Sequence, residues 1–163
     1  MTRVLITRSL LDSKSLALQV QGLGATPICV PLLERKFLCE GIRPSGTKHD
    51  WIVLTSRWAV QALSASGYKP SDFGQKIAVV GPITAQEVRN LGDKVHFMPS
   101  SFSVTALIQE LNIQSGMSVY YPRSALTGLD SIQSLIHSGV RIMAPVAYTN
   151  TLPLTAEQDL TRL

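Results

Sequence analysis

The chain is short of charge, aromatic rings and cysteine. Charged residues make up 16% of its 163 positions and aromatics 6%, while 45% are hydrophobic. So low a charge with so much apolar material excludes a disordered chain and leaves enough to bury a core. The net charge is +4 and the sequence pI about 9.3. Yet no run of Lys and Arg forms a stripe, and there are few rings to stack on bases, so nucleic acid is not an expected partner. Cys29 and Cys39 stand ten residues apart, with no CxxC and no ligand histidine beside them. Neither a zinc site nor a disulfide framework is indicated. No apolar run approaches the length of a membrane span. The opening "MTRVLITRSLLD" enters a strand directly, without a basic segment, an apolar segment and a cleavage site in series. A cytoplasmic protein with no membrane partner is expected.

Several catalytic signatures are missing too. "VGPITA" lacks the second and third glycines of a dinucleotide fingerprint, and no phosphate-loop motif occurs. There is no G-x-S-x-G elbow, and no pair of carboxylates is placed for acid and base work. His49, His96 and His137 are scattered. No metal and no cofactor are expected.

What is present is an alternation. "RVLIT", "TPICVPLL" (26–33), "DWIVLTS", "KIAVV", "KVHFM" (94–98), "MSVYY" and "VRIMAPVAY" (140–148) read as strands, most of them followed by a helical pattern. Strands alternating with helices of about ten residues predict βαβ units and a parallel sheet. Continuous apolar strands fit a sheet covered on both faces.

Two places break the rhythm. "ERKFLCEGIRPSGTKHD" is polar and rich in Gly and Pro, which suggests an extended stretch, then a loop and a domain boundary near residues 34 to 48. At the other end, "LTAEQDLTRL" carries a capping-box pattern, Thr155 with Gln158, and the sequence ends soon after. Both end pieces look like parts of one domain. The expected organisation is a partial first domain over 1–36, a complete second domain over 37–148, and a return linker with the start of a first-domain helix over 149–163.

In a parallel α/β sheet, ligands bind at the carboxyl ends of the strands. Those ends carry Thr7, Arg8 and Ser9; Thr55, Ser56 and Arg57; Gly81, Pro82 and Thr84; Ser100, Ser101 and Ser103; Pro122, Arg123 and Ser124; and Tyr148 with Thr149. Hydroxyls, arginines and helix N-terminal amides suit an anion. Ser and Thr are also ordinary N-caps, and Thr84 with Glu87 reads as a capping box. A non-catalytic α/β module for an anionic metabolite is the competing reading.

Six segments in order, "VLITRS", "DWIVLTSRWAVQAL", "IAVVGPITAQEV", "VHFMPSSFSVTALIQEL", "SVYYPRSALTGL" and "GVRIMAPVAYTNT", resemble the uroporphyrinogen-III synthase family. The resemblance implies two flavodoxin-like α/β domains with parallel sheets, joined by a two-stranded linker. "ERKFL" and "AYTNT" would be the linker strands. It also implies a C-terminally truncated chain, since a return into the first domain is expected after Leu163. The implied reaction closes hydroxymethylbilane, an anionic linear tetrapyrrole, to uroporphyrinogen III with its last ring inverted, without a cofactor. Tyr148 matches the tyrosine that assists loss of the hydroxyl. Thr84 and Ser56 match substrate-binding hydroxyls, and Arg8 and Arg123 match basic positions. Ser124 stands where the family often has Gly, and Ser103 completes the expected rim. A monomer is expected for full-length members, and a swapped or paired assembly stays open for a truncated one.

Overall fold

The computed structural model describes residues 2–162. By contacts the chain divides into a small unit, running up to Lys36 and resuming at Asn150, and a large unit, Phe37–Thr149.

The large unit is built on four parallel strands in the order β5-β4-β6-β8: β4 (His49–Leu54), β5 (Gly74–Val79), β6 (Ser118–Tyr120) and β8 (Arg141–Met143). Alternate side chains of a strand point to opposite faces. Ile52, Leu54, Ile77, Val79 and Tyr120 accordingly pack in one cluster with Val60, Leu63 and Val88 of α2 (Arg57–Ala65) and α3 (Pro82–Asn90). Val53, Ala78, Val119 and Tyr121 pack in another with Leu107 of α4 (Val104–Glu110) and Leu135 of α5 (Gln133–His137). A sheet buried on both faces needs apolar side chains at consecutive positions, and that is why these strands read as unbroken apolar runs. The parallel α/β expectation holds.

In the small unit, β1 (Arg3–Ile6) and β2 (Thr26–Cys29) pair in parallel, with α1 (Leu10–Gly22) as the crossover. Gly24 turns the chain at φ +77°, a conformation that Gly adopts without steric cost. The second strand is shorter than the expected 26–33. Helix α6 (Ala156–Thr161) belongs to this unit as well. The expected Thr155 capping box does not form. Thr155 has helical dihedrals, φ −86° and ψ −7°, and its side chain makes no cap bond.

The linker strands β3 (Glu34–Phe37) and β9 (Val146–Thr151) are neighbours in a three-stranded sheet, β3-β9-β7, with β7 (Arg123–Ser124). Leu38 N–H donates to the Ala147 carbonyl at 2.9 Å. The Arg35 guanidinium donates to Asn150 Oδ1 at 3.2 Å.

Two expected strands are corrected. "KVHFM" supplies only an isolated bridge, Ala78 to Phe97. His96 Nδ1 accepts the Ile77 N–H at 3.1 Å, so a side chain takes a donor that a full ladder would use, and Pro99 follows closely. "VRIMAPVAY" is two strands. Pro145 interrupts the run, β8 pairs with β6 before it, and β9 pairs with β7 after it.

Candidate functional site

Three helices begin at the carboxyl-end rim of the large unit, and their first turns differ. Ser56 caps α2 by accepting the Trp58 N–H at 3.1 Å. Ser103 caps α4 by accepting the Ala106 N–H at 3.1 Å. These two expected site residues therefore have a lone pair committed to their own helices. Helix α3 is different. Its N-cap is Gly81, which has no side chain to offer, and Pro82 occupies the first helical position. The first helical bond runs from Ala85 N–H to the Gly81 carbonyl at 3.0 Å. The N–H groups of Ile83 and Thr84 have no acceptor among the described residues.

The Thr84 capping box is thus a correction. Thr84 lies in the first turn of α3, after the cap, and is 5% exposed. Glu87 does not fold back on the cap; its carboxylate accepts from Gln61 Nε2 at 3.0 Å and ties α3 to α2. The Thr84 hydroxyl has no partner among the described residues and is not enclosed.

The two basic positions separate. Arg123 spends its guanidinium on the backbone, donating to the carbonyls of Ala144 at 3.3 Å, Ser124 at 3.3 Å and Thr127 at 2.6 Å. It fixes the loop beside β7, and those donors are already occupied. Arg8 belongs to the small unit, just past β1, and is exposed. Among the described residues only its carbonyl is engaged, by the Ser13 hydroxyl at 3.0 Å.

Ser124 and Tyr148 are brought together. They are register partners in the β7/β9 pair, and Ala125 N–H donates to the Tyr148 carbonyl at 2.8 Å. Ser124 is 7% exposed and its hydroxyl accepts the Leu126 N–H at 3.2 Å. The Tyr148 ring packs in the core cluster of the α2/α3 face. Its hydroxyl has no partner among the described residues and is not enclosed, unlike that of Tyr120, which is enclosed and unpaired.

None of the rim positions named from the sequence is a carboxylate, but Ser100 meets one in the structure. Glu110, at the far end of α4, accepts from the Ser100 N–H at 2.9 Å and the Ser100 hydroxyl at 2.7 Å. These bonds, the hydroxyl's first, hold its carboxyl below the ordinary glutamate value. Ser100 is thereby removed from the donors a ligand could use. A contact ten residues apart leaves no periodic trace in a sequence. Phe102 was also missed. It is 62% exposed and stands beside Gly81, whose missing Cβ would lie 3.7 Å from the Phe102 Cβ.

Chemically, the rim offers two free amides, two unpaired hydroxyls and an exposed aromatic face. That set can hold a carboxylate and donate a hydrogen bond to a departing oxygen. Among the described residues no three His, Cys, Asp or Glu side chains gather as a metal site, and no helix is long and apolar enough to cross a membrane.

Comparison with known proteins adds three findings. A family model described as Uroporphyrinogen-III synthase HemD matches residues 14–163. A uroporphyrinogen-III synthase of Synechococcus elongatus is 30% identical over 168 aligned positions, covering 96% of this chain and 63% of its own length. The chain thus spans under two thirds of that relative. Among solved structures, a mutant uroporphyrinogen III synthase of the extremely thermophilic bacterium Thermus thermophilus superposes with a TM-score of 0.68 at 16% identity, over 99% of this chain and 69% of that one. The uroporphyrinogen-III synthetase of Helicobacter pylori gives 0.59 at 18% identity, over 83% and 61%. At such identities the structural likeness speaks for the fold alone.

Proposed function

The chain belongs to the uroporphyrinogen-III synthase family, and on that premise we propose that it handles hydroxymethylbilane during closure to uroporphyrinogen III. The reaction is a cyclising loss of water, a lyase step placed here in the cytoplasm. The carbon–oxygen bond of the terminal hydroxymethyl group breaks, the oxygen leaves as water after taking a proton, and a cationic azafulvene remains. The last ring attacks it through the carbon that already carries its bridge, giving a spiro intermediate; the old bridge bond breaks and re-forms at the ring's free α-carbon, whose proton is lost, and the ring ends inverted. The substrate carries eight carboxylates, and the uninverted isomer forms spontaneously. Catalysis is therefore chiefly a matter of holding the chain folded with one ring turned.

The observation that carries this reading is the bare first turn of α3. A helix start with amides left open by Gly81 is a place for a carboxylate. Thr84 adds a hydroxyl to those amides. Tyr148 is the donor to the leaving oxygen, since a phenol donates a hydrogen bond at neutral pH and this one is unpaired and reachable. Ser56, Ser103 and Ser124 present hydroxyl protons while their lone pairs cap or brace the local backbone. Arg8 is a basic substrate-binding position of the small unit, and Arg123 acts by holding the β7 loop in shape. The domain limits that go with this reading are 1–36, 37–148 and 149–163.

The test is the isomer ratio of the products formed from hydroxymethylbilane, measured for the 163-residue chain and for the product of its complete reading frame. Isomer III is the expected excess product. If both give only the spontaneous isomer I, the function is wrong. In an active protein, Tyr148→Phe should slow isomer III formation by roughly 10²-fold. Thr84→Val should raise KM while Thr84→Ser restores it. Full activity in both Tyr148→Phe and Thr84→Val would leave the family assignment standing and remove these residue roles.

A further inference from the structure

The opposite end of the same sheet carries a cavity that the synthase reading does not use. It has a volume of about 350 Å³ and lies where β4, β6 and β8 begin, lined by Lys48, His49, Ser118 and Arg141 with Ser45 and Thr47 of the preceding loop. The strands are parallel, so this edge lies a strand length away from the rim of helix starts.

Three features of this edge call for a ligand. Both ring nitrogens of His49 are enclosed and have no hydrogen-bond partner. A buried polar atom without a partner is costly and uncommon. Lys48 and Arg141 are exposed cations with no carboxylate within ion-pair distance among the described residues. The neighbouring acid, Asp50, is already occupied. It accepts from the Ser118 N–H at 2.7 Å and the Ser118 hydroxyl at 2.8 Å, and Ser118 in turn accepts the Asp50 N–H at 3.1 Å.

We propose that this edge binds a small anion of phosphate or carboxylate type, held by Lys48 and Arg141 beside the His49 ring that lines the cavity. Arginine and lysine together supply a planar fork and a point charge, the pair that oxyanions take. The Thr47 hydroxyl has no other partner, whereas the Ser45 hydroxyl donates to the Thr47 carbonyl at 3.2 Å. The charged groups acting on His49 are Asp50, which favours its protonation, and Arg141, which opposes it; Lys48 precedes it in the chain. Tyr120, from β6, faces the ring with centroids 5.5 Å apart and brings no charge. Burial, the largest influence, holds His49 below the ordinary histidine value. An anion seated between Lys48 and Arg141 would reverse that balance and raise it.

Proton NMR of the histidine rings reads this directly, with pH titrations in chloride, inorganic phosphate and malonate at matched ionic strength. The His49 midpoint should rise and saturate at millimolar phosphate or malonate. A response to malonate as well as phosphate marks a general oxyanion site; a response to phosphate alone marks a phosphate site. Arg141→Gln should abolish the shift and Lys48→Gln should weaken binding several-fold. Both side chains are exposed, so the fold should survive either change, and an unchanged His96 signal checks it. A melting temperature raised by phosphate in the parent and not in Arg141→Gln gives an independent reading. Equal shifts in chloride, no saturation, or an undiminished shift in Arg141→Gln would overturn the site.

Discussion

The large unit closes its sheet on both faces, with α2 and α3 over one cluster and α4 and α5 over the other. Among its described residues the small unit has the strands β1 and β2, most of β3, one long helix and one short one. Among its described residues the buried apolar side chains are Ile6, Val20, Val30 and Ala156. Leu10, Leu11, Leu18 and Leu23 of the α1 region are all more than half exposed. The local rules are obeyed equally in both. Ser9 caps α1 as Ser56 caps α2, though with a longer bond, and both sheets pair in register. The difference lies in how many elements share a core. One βα crossover cannot cover two sheet faces, so good local structure and a well-filled interior are separate achievements.

The largest expected effect comes from deleting core volume where the interior is full. Leu54 is fully buried in β4, and Leu54→Ala should cost about 2–5 kcal/mol. Both tryptophans, Trp51 and Trp58, lie in the large unit, so a urea transition followed by their fluorescence reports on it. A loss below about 1 kcal/mol would mean that this interior is looser than its burial implies.

Paired glycine substitutions sharpen the contrast. A Cβ at Gly74 would sit 2.5 Å from the Ile52 backbone nitrogen, so Gly74→Ala should destabilise the large unit by about 1–3 kcal/mol. Gly22, in α1, has nothing within 4 Å of its would-be Cβ and is not left-handed. Gly22→Ala should therefore strengthen α1 by about 0.5–1 kcal/mol, seen as slower amide exchange along that helix. Opposite signs are the result to look for. Two losses of similar size would mean that the small unit is as tightly filled as the large one.

Acid should weaken the large unit in two separate windows. His49 is held below its ordinary 6.5 chiefly by burial, so the unfolded chain takes up a proton first. Stability is fully present above 6.5 and falls as the pH drops from there through the folded value. Asp50 is held below its ordinary 3.8, first by the Ser118 N–H and then by the Ser118 hydroxyl, so its contribution is lost only below 3.8. Ser118→Ala should shrink the second loss and leave the first in place. Urea midpoints measured across the acid range check both, and a first loss that vanishes in Ser118→Ala would contradict the assignment.

How much of this was legible beforehand depends on the kind of signal. The β4 and β5 runs announced themselves because a two-sided burial makes every residue apolar. Gly81-Pro82 also carried the right signal. Proline favours the first helical position, which puts the cap on Gly81. The T-A-Q-E pattern pointed instead to Thr84, and the backbone settled the matter by starting the helix three residues earlier. The roles of Arg123 and Glu110 were not legible. Each is fixed by carbonyls or amides that come into reach only once the chain has folded. His96 replacing a ladder bond is the same kind of event. Pattern reports which face is buried, and it does not report which long side chain reaches which backbone group.

The smallest expected effect tests the exposed face of α1. Leu18 is 70% exposed and the helix is apolar on more than one side. A leucine that stays in water in the folded state gains almost nothing from folding, so replacing it with a charge removes little. Lysine is as good a helix former as leucine, so propensity does not confuse the result. Leu18→Lys should change the stability of α1 by no more than about 0.5 kcal/mol, measured by amide exchange in that helix. Leu54→Ala, in the same measurement on β4, should accelerate exchange by orders of magnitude. If Leu18→Lys instead cost as much as a core deletion, Leu18 would have to be covered in solution. The small unit would then own a filled interior after all, and the contrast with the large unit would disappear.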